Sequence, residues 1–185
     1  MQPRRLAVVT AVAVAAASMA ACGKDGPTSV AKTEGVYVTT GHLAYQVQIS
    51  RQLNPHDFED RDFLKGLPPG NTLGRDEDYF AIFLRVFNQG DAPHQSARQF
   101  VIEDTTGKKF SPVPLNLDAN VVAYRPLVVN AGDQIPVPGS VARENATQGG
   151  MVLFKIPVSS FANRPLVLHI ASPEGGPEAT VDLDV

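Results

Sequence analysis

Apolar and polar residues alternate cleanly from His42 to Arg51 (HLAYQVQISR). Leu43, Tyr45, Val47 and Ile49 fall on one side, and Ala44, Gln46, Gln48 and Ser50 on the other. A period of two is that of a strand with one buried face. Tyr79 to Asn88 (YFAIFLRVFN) is apolar at nearly every position, which predicts a central strand covered on both faces. Gln99 to Asp104 and Lys108 to Phe110 flank Thr105-Thr106-Gly107, the layout of a hairpin. Val121 to Asn130 (VVAYRPLVVN) predicts a strand interrupted at Pro126, because proline has no amide to give to a ladder. Shorter strands are predicted over Gln134 to Val137, Gly150 to Ile156, Pro165 to Ala171 and Ala179 to Val185, with Gly-, Pro- and Asn-rich turns between them.

One connection is long. In Leu53 to Asp78, Asn54 suits a helix cap and Pro55 a first helical position. Asp57 and Glu59 suit the positive N-terminal end, and Gly66 and Pro68 suit a stop. These signals predict one short helix over Pro55 to Lys65, followed by loop from Leu67 to Asp78. Val158 to Ala162 predicts a single helical turn. Roughly seven to nine strands with no long helix give an all-β fold, a two-sheet antiparallel sandwich with a short helix in a long inter-strand insertion over 53–78.

The N-terminus carries a different pattern. Arg4-Arg5 precede an apolar run from Leu6 to Ala21, and Cys22 follows directly. A helix over that run rises about 24 Å, short of the roughly 30 Å hydrocarbon core, so a cleaved leader is favoured over a spanning anchor. Met19-Ala20-Ala21-Cys22 resembles the lipobox of bacterial lipoproteins, with Met19 where leucine is usual. The resemblance implies removal of residues 1–21, diacylglycerol on the Cys22 sulfur, and attachment to the extracytoplasmic face of a bacterial cell membrane. Buried methylenes at about 0.8 kcal/mol each make two or three acyl chains a stable anchor. Residues 22–35 (CGKDGPTSVAKTEG) are small, polar and unpatterned and predict a flexible tether, which leaves 36–185 as the domain.

Composition narrows the partners. The chain holds 16 basic and 19 acidic residues, and loss of Arg4 and Arg5 with the leader makes the mature chain more acidic still. That excess argues against nucleic acid and against charge-driven docking on anionic lipid. Cys22 is the sole cysteine and there is no tryptophan. Once Cys22 is acylated no disulfide can form, so an apolar core must hold the domain, and its length suits one domain.

Several stretches together resemble a known family. They are Tyr79-Phe-Ala-Ile-Phe-Leu-Arg-Val-Phe-Asn-Gln-Gly90, Phe100-Val-Ile-Glu-Asp-Thr-Thr-Gly-Lys-Lys-Phe110, Val137-Pro-Gly-Ser140, and Gly149-Gly-Met-Val-Leu-Phe-Lys-Ile-Pro157. In this order they resemble the immunoglobulin-like domain of the DUF4352 / MPT63-like bacterial lipoproteins, over about Gly41 to Ala171. The resemblance implies an immunoglobulin-like sandwich on the cell surface, and it brings no catalytic residues to carry over.

The chemistry-bearing residues are few. Asp57, Glu59, Asp60, Asp62, Asp76, Glu77 and Asp78 form an acidic run, a candidate partner or cation contact. Calcium takes roughly six to eight oxygens, and the spacing lacks the sixth-position glycine of an EF-hand. The bland reading of the run is a solvated helix and loop face neutralised by Arg61 and Arg75. His42, His56, His94 and His169 are never at metal-ligand spacing, and His169, between Leu168 and Ile170, is predicted to face solvent. No residue set is assigned to a metal. Cys22 is spent on lipid, and there is no Gly-x-Ser-x-Gly elbow or phosphate loop, so no catalytic residue is assigned. Tyr37, Tyr45, Tyr79 and Tyr124 offer rings for a recognition face, or for packing at the sandwich rim with hydroxyls in water.

These observations predict a non-enzymatic, lipid-anchored, extracytoplasmic interaction or accessory module. It has no cofactor beyond the covalent lipid, and its partner is an unidentified envelope protein or small ligand. The alternative is a lipoprotein that binds or senses a small ligand or a calcium-like cation. An extracytoplasmic hydrolase would need a Ser, His and carboxylate cleft that no motif signals. The 53–78 insertion is the expected contact site, and deleting Asp57 to Gly74 is expected to spare folding.

Overall fold

The computed structural model describes residues 28–185, so the leader, Cys22 and the first part of the tether lie outside the described residues. Twelve strands follow in chain order: β1 (Val30–Ala31), β2 (Tyr37–Thr40), β3 (Leu43–Leu53), β4 (Glu77–Phe87), β5 (His94–Gln95), β6 (Phe100–Glu103), β7 (Lys109–Phe110), β8 (Val128–Val129), β9 (Gln134–Ile135), β10 (Gly150–Pro157), β11 (Leu166–Ile170) and β12 (Ala179–Leu183). The helical elements are α1 (Phe58–Phe63), α2 (Val141–Glu144) and a 3-10 turn at Val158–Ala162. One sheet runs β1-β12-β11-β6-β7. The second runs β10-β4-β3-β2, with β9 added to the end of β4, and β5 and β8 form a small ribbon. The fold is an all-β two-sheet sandwich with a short helix in the long connection between β3 and β4.

The main core lies between the sheets. Val38, Tyr45, Val47, Phe80, Ile82, Leu84 and Val86 of one sheet meet Phe100, Ile102, Leu166, Leu168 and Val181 of the other. The opposite face of β4 is buried as well. Tyr79, Ala81 and Phe83 join Met151 and Leu153 of β10 in a second cluster, closed from outside by Phe63, Val113, Val122 and Ala142. The segment 112–124 runs along the free edge of β10: Val113 N donates to Leu153 O at 2.7 Å and Tyr124 N to Met151 O at 2.8 Å. An otherwise open sheet edge is thereby paired.

Several sequence expectations need correction. The alternation of β3 breaks at a bulge: Val47 pairs with Leu84 and Ile49 with Phe83, so Gln48 is an extra residue. Ile49 therefore leaves the inner face and is 40% exposed, while Ser50 turns inward. The tether ends earlier than Gly35. Val30 and Ala31 pair with Thr180 and Val181 in parallel, and the Glu34 carboxylate accepts from Ser50 N at 2.9 Å and Asp184 N at 3.1 Å. Two paired residues are too few to leave a periodic trace. The short helix is narrower than Pro55 to Lys65, since its cap is Asp57, which accepts from Glu59 N and Asp60 N. Asn54 instead accepts from His56 N at 2.9 Å. The strand expected over Val121 to Asn130 shrinks to β8, because Asn120 turns the chain: its Oδ1 accepts from Val122 N and Ala123 N at 3.1 and 3.0 Å.

The 53–78 connection is part of the core rather than an appendage. Phe63 is buried, and Leu64, Leu67 and Leu73 pack beside it on the outer cluster. Asn120 Nδ2 donates to Phe63 O and Lys65 O, both at 2.9 Å. Deleting 57–74 would strip the outer face of β4, so the expectation that such a deletion spares folding is withdrawn.

Candidate functional site

The acidic run divides when it folds. Asp57 caps α1, and Asp60 is buried, accepting from Arg51 Nη2 at 2.5 Å and Asn54 N at 2.8 Å. Asp62 pairs with Lys65 at 2.8 Å, while Glu59 stands exposed. Asp76, Glu77 and Asp78 lie at the entry to β4. The Asp76 carbonyl accepts from Val158 N at 3.0 Å, and the Asp78 carboxylate accepts from Gln52 Nε2 at 2.9 Å. Glu77 accepts from Gly74 N at 2.8 Å and pairs with Lys155 at 3.2 Å. The Gly74 amide first, and then Lys155, hold its carboxyl below the usual range. Among the described residues no three His, Cys, Asp or Glu side chains converge as a metal-holding group.

The fold makes one histidine pair that spacing could not show. β2 and β3 are joined by the two residues Gly41-His42, both at positive φ (54° and 61°), as a tight hairpin requires. His42 is thereby swung onto His94 of β5, with ring centroids 4.7 Å apart and planes 25° apart. His94 Nδ1 lies 3.1 Å from Glu174 Oε1, and this bond is the main cause holding the Glu174 carboxyl below its ordinary value. His169 faces outward between the buried Leu168 and Ile170, as expected, and its two ring nitrogens face Glu178 at 2.9 Å and Glu103 at 3.5 Å on that surface.

The tyrosines depart from both sequence readings. Tyr45, Tyr79 and Tyr124 are buried. Tyr79 donates to Asn71 O at 2.6 Å, and Tyr45 and Tyr124 close on Ala97. Only Tyr37 of the four is exposed.

What the described surface does present is an apolar face over the second cluster. Phe58 at the start of α1 is 78% exposed, Val121 57% and Val141 on α2 55%. These three border a concavity of about 420 Å³ that runs between α1 and α2, with Glu59 and Asp62 on its rim. Val121 also borders a second, drier concavity of about 180 Å³ with Leu127 and Val137, both likewise exposed. Exposed apolar groups gathered around grooves mark contact surfaces, whereas single ones are ordinary. The sequence offered no sign of this face, because each of these residues reads as an ordinary core residue.

The fold has solved counterparts. The yjhA protein from Bacillus subtilis superposes with a TM-score of 0.56 at 15% identity, covering 83% of this chain and 99% of that one. A candidate lipoprotein, ycdA, from the same species matches with a TM-score of 0.48 at 11% identity, over 80% of this chain and 38% of that one. An uncharacterised β-sandwich protein from Clostridium difficile gives 0.43 at 10% identity, over 87% of this chain and 98% of that one. At 15% identity the likeness to yjhA is one of fold alone. No family model matches the chain. No curated protein matches it in sequence. Among the described residues no helix is long and apolar enough to cross a membrane.

Proposed function

We propose that this chain is a lipid-anchored, non-enzymatic interaction module, tethered through Cys22 on the extracytoplasmic side of a bacterial membrane. Its contact surface in this reading is the face built from Phe58, Val121, Val141, Leu127 and Val137. The observation that carries the reading is the gathering of these exposed apolar side chains around two adjoining concavities. The sequence-stretch resemblance to surface lipoproteins and the lipobox pattern at Met19 to Cys22 supply the anchor. The partner is an envelope protein with an apolar contact surface, since the acidic chain suits neither nucleic acid nor anionic lipid.

The test is crosslinking and pull-down in native membranes with the wild type, F58S and V121S. Phe58 and Val121 are mostly solvated, so each change shifts stability by about 0.5 kcal/mol or less. Loss of the captured protein at unchanged melting temperature is expected, and unchanged capture overturns the placement. Mass spectrometry of the mature N-terminus tests the anchor separately, where an unmodified Cys22 thiol would end that part of the reading.

A second reading takes a small cationic ligand at the larger concavity, where Glu59 stands exposed and outside any ion pair among the described residues, while Asp62 is already paired with Lys65. Ligand-observed NMR with cationic fragments against wild type and E59Q separates the two. Fragment signals that respond to E59Q support it, and their absence leaves the protein partner alone.

A further inference from the structure

The chain enters the described domain at a fixed place. The Thr28 carbonyl accepts from Thr39 N at 2.7 Å, and the Ser29 carbonyl accepts from Thr180 N at 2.8 Å. Thr39 belongs to β2 of one sheet and Thr180 to β12 of the other, so the first residues of the domain are clasped by both sheets. β1 pairs with β12 in parallel, Val30 with Thr180 and Ala31 with Val181. Thr28 therefore lies at the end of the sandwich where β12 begins.

Three other segments share that end. β2 turns there at Gly41-His42, because Thr40 pairs with Leu43. β4 finishes there, because Phe87 pairs with Ala44, and the turn 88–93 follows. β11 finishes there as well, since Ile170 pairs with Ala179, and the loop 171–178 forms the rim. These segments are locked together. Thr40 Oγ1 donates to Pro177 O at 2.9 Å, His42 stacks on His94, and His94 Nδ1 meets Glu174 Oε1 at 3.1 Å.

The opposite end holds Leu53 of β3, Glu77 of β4 and the 3-10 turn after β10, since Leu53 pairs with Tyr79 and Pro157 with Glu77. The turn 104–108 joins them, with Thr105 N donating to Asn163 O at 3.2 Å. β3 runs from one end to the other, and its steps from Leu43 to Leu53, at about 3.3 Å each, hold the ends roughly 33 Å apart. Only six steps of chain separate Cys22 from Thr28. A chain spans at most about 3.3–3.6 Å per residue, so this lead reaches about 20 Å, less than the length of the domain.

We infer that the lipid headgroup layer meets the domain at its Thr28 end, where the Gly41-His42 tip, the turn 88–93 and the loop 171–178 form the surface. With the Cys22 anchor proposed above, on which this orientation rests, the lead keeps that end within about 20 Å of the headgroups, while the 104–108 end stands up to a domain length farther out. Charge does not draw the end there. Asp91, Asp133, Glu174 and Glu178 are all exposed on it, and carboxylates are repelled by anionic lipid. The short lead imposes the approach. The apolar face covers the outer side of β4, between the two ends, so in this orientation it looks along the membrane rather than into it.

The experiment uses the chain's sole cysteine. Acylation occupies the Cys22 sulfur, so a second cysteine is the one free thiol and takes a nitroxide label by itself. D91C marks the Thr28 end and T105C the far end; both side chains are exposed, so neither change disturbs the fold, which the melting temperature checks. The full lipidated chain is bound to phosphatidylcholine vesicles containing a lipid with gadolinium chelated at its headgroup. Paramagnetic relaxation of the label falls steeply with distance from that layer. Severalfold stronger relaxation for D91C than for T105C is the expected result, with Q89C and K108C repeating it. Equal relaxation, or stronger relaxation at T105C, in a vesicle-bound chain carrying one label overturns the orientation while the anchor stands. Two labels per chain, or no vesicle binding, means that Cys22 carries no lipid, and the anchor and this orientation then fail together.

Discussion

Tyr45 and Tyr124 reach from opposite parts of the chain to the same residue. The Tyr45 hydroxyl accepts from Ala97 N at 2.8 Å, and the Tyr124 hydroxyl donates to Ala97 O at 3.0 Å. Ala97 is fully buried in an irregular stretch between β5 and β6, where no ladder is present to satisfy its backbone. Two phenols do so instead. Y45F leaves the Ala97 amide without an acceptor, and Y124F leaves its carbonyl without this donor. Each is expected to lower stability by about 1–3 kcal/mol, read by urea denaturation.

The same pair sets an alkaline limit. Burial is the main cause that pushes the Tyr45 hydroxyl from 10.0 up to about 12, and burial pushes Tyr124 up as well. In the unfolded chain these phenols ionise near 10, while the fold holds them neutral. Their contribution is complete below pH 10 and is lost as pH rises through about 12, where the unfolded state has already shed its protons. Melting temperature is expected to fall steeply between pH 10 and 12 in the wild type. Y45F should fall less steeply, and identical alkaline slopes would refute the assignment.

At the acid end the corresponding group is Asp104. It accepts from Thr106 Oγ1 at 2.5 Å, Thr106 N at 2.9 Å, Lys108 N at 3.1 Å and Asn163 Nδ2 at 3.2 Å. The Thr106 hydroxyl bond leads the causes that bring its carboxyl down from 3.8 to about 2. A lowered folded value means stability that is present above pH 3.8 and disappears as pH falls through 2. D104N should flatten the acid limb of the melting curve over that window and loosen the turn between β6 and β7. Amide exchange at Thr106 and Lys108 reads the second effect.

Asn120 closes the outer layer. Its side chain accepts from the amides of Val122 and Ala123 within its own turn and donates to the carbonyls of Phe63 and Lys65, so two of its four bonds shape the turn and two tie it to the end of α1. N120A is expected to cost about 3 kcal/mol, because it removes the partners of several buried backbone groups at once. N120D keeps the acceptor and loses the two donations, and should lie between alanine and the wild type.

How far the fold could be read in advance follows from the range of each signal. β4 was legible because residues 79–84 are apolar on both faces, which only a doubly covered strand requires. β3 was legible up to Val47 and misread beyond it, because a bulge adds one residue without changing composition. The acidic run looked like one feature because it is contiguous in sequence, yet a helix turns Asp60 inward while Glu59 stays outside. His42 with His94, and the two tyrosines on Ala97, are joined across some fifty residues or by irregular chain, and no local period records them. The candidate face was invisible for a related reason. The cover of the second cluster is made of α1, 112–124 and α2, and without periodicity nothing told Phe63 from Phe58.

That last distinction can be measured. Asp60 and Phe58 are two residues apart and serve different ends. Asp60 is buried and ties α1 to Arg51 and to Asn54 N, and Arg51 in turn lies 5.5 Å from the Phe63 ring centroid. D60N weakens an ion pair that is buried on the Asp60 side, and D60A removes it, leaving the Asn54 amide without a partner. D60A is expected to cost about 2–4 kcal/mol and to loosen α1. Partner capture would then fall only in proportion to the fraction unfolded, and would recover on cooling. F58S removes a side chain that touches mostly water, so it should leave the melt unchanged while capture falls at every temperature. If both variants lose capture in step with their melting temperatures, Phe58 acts through α1 rather than at the contact. If only F58S separates capture from stability, the exposed ring is itself the contact.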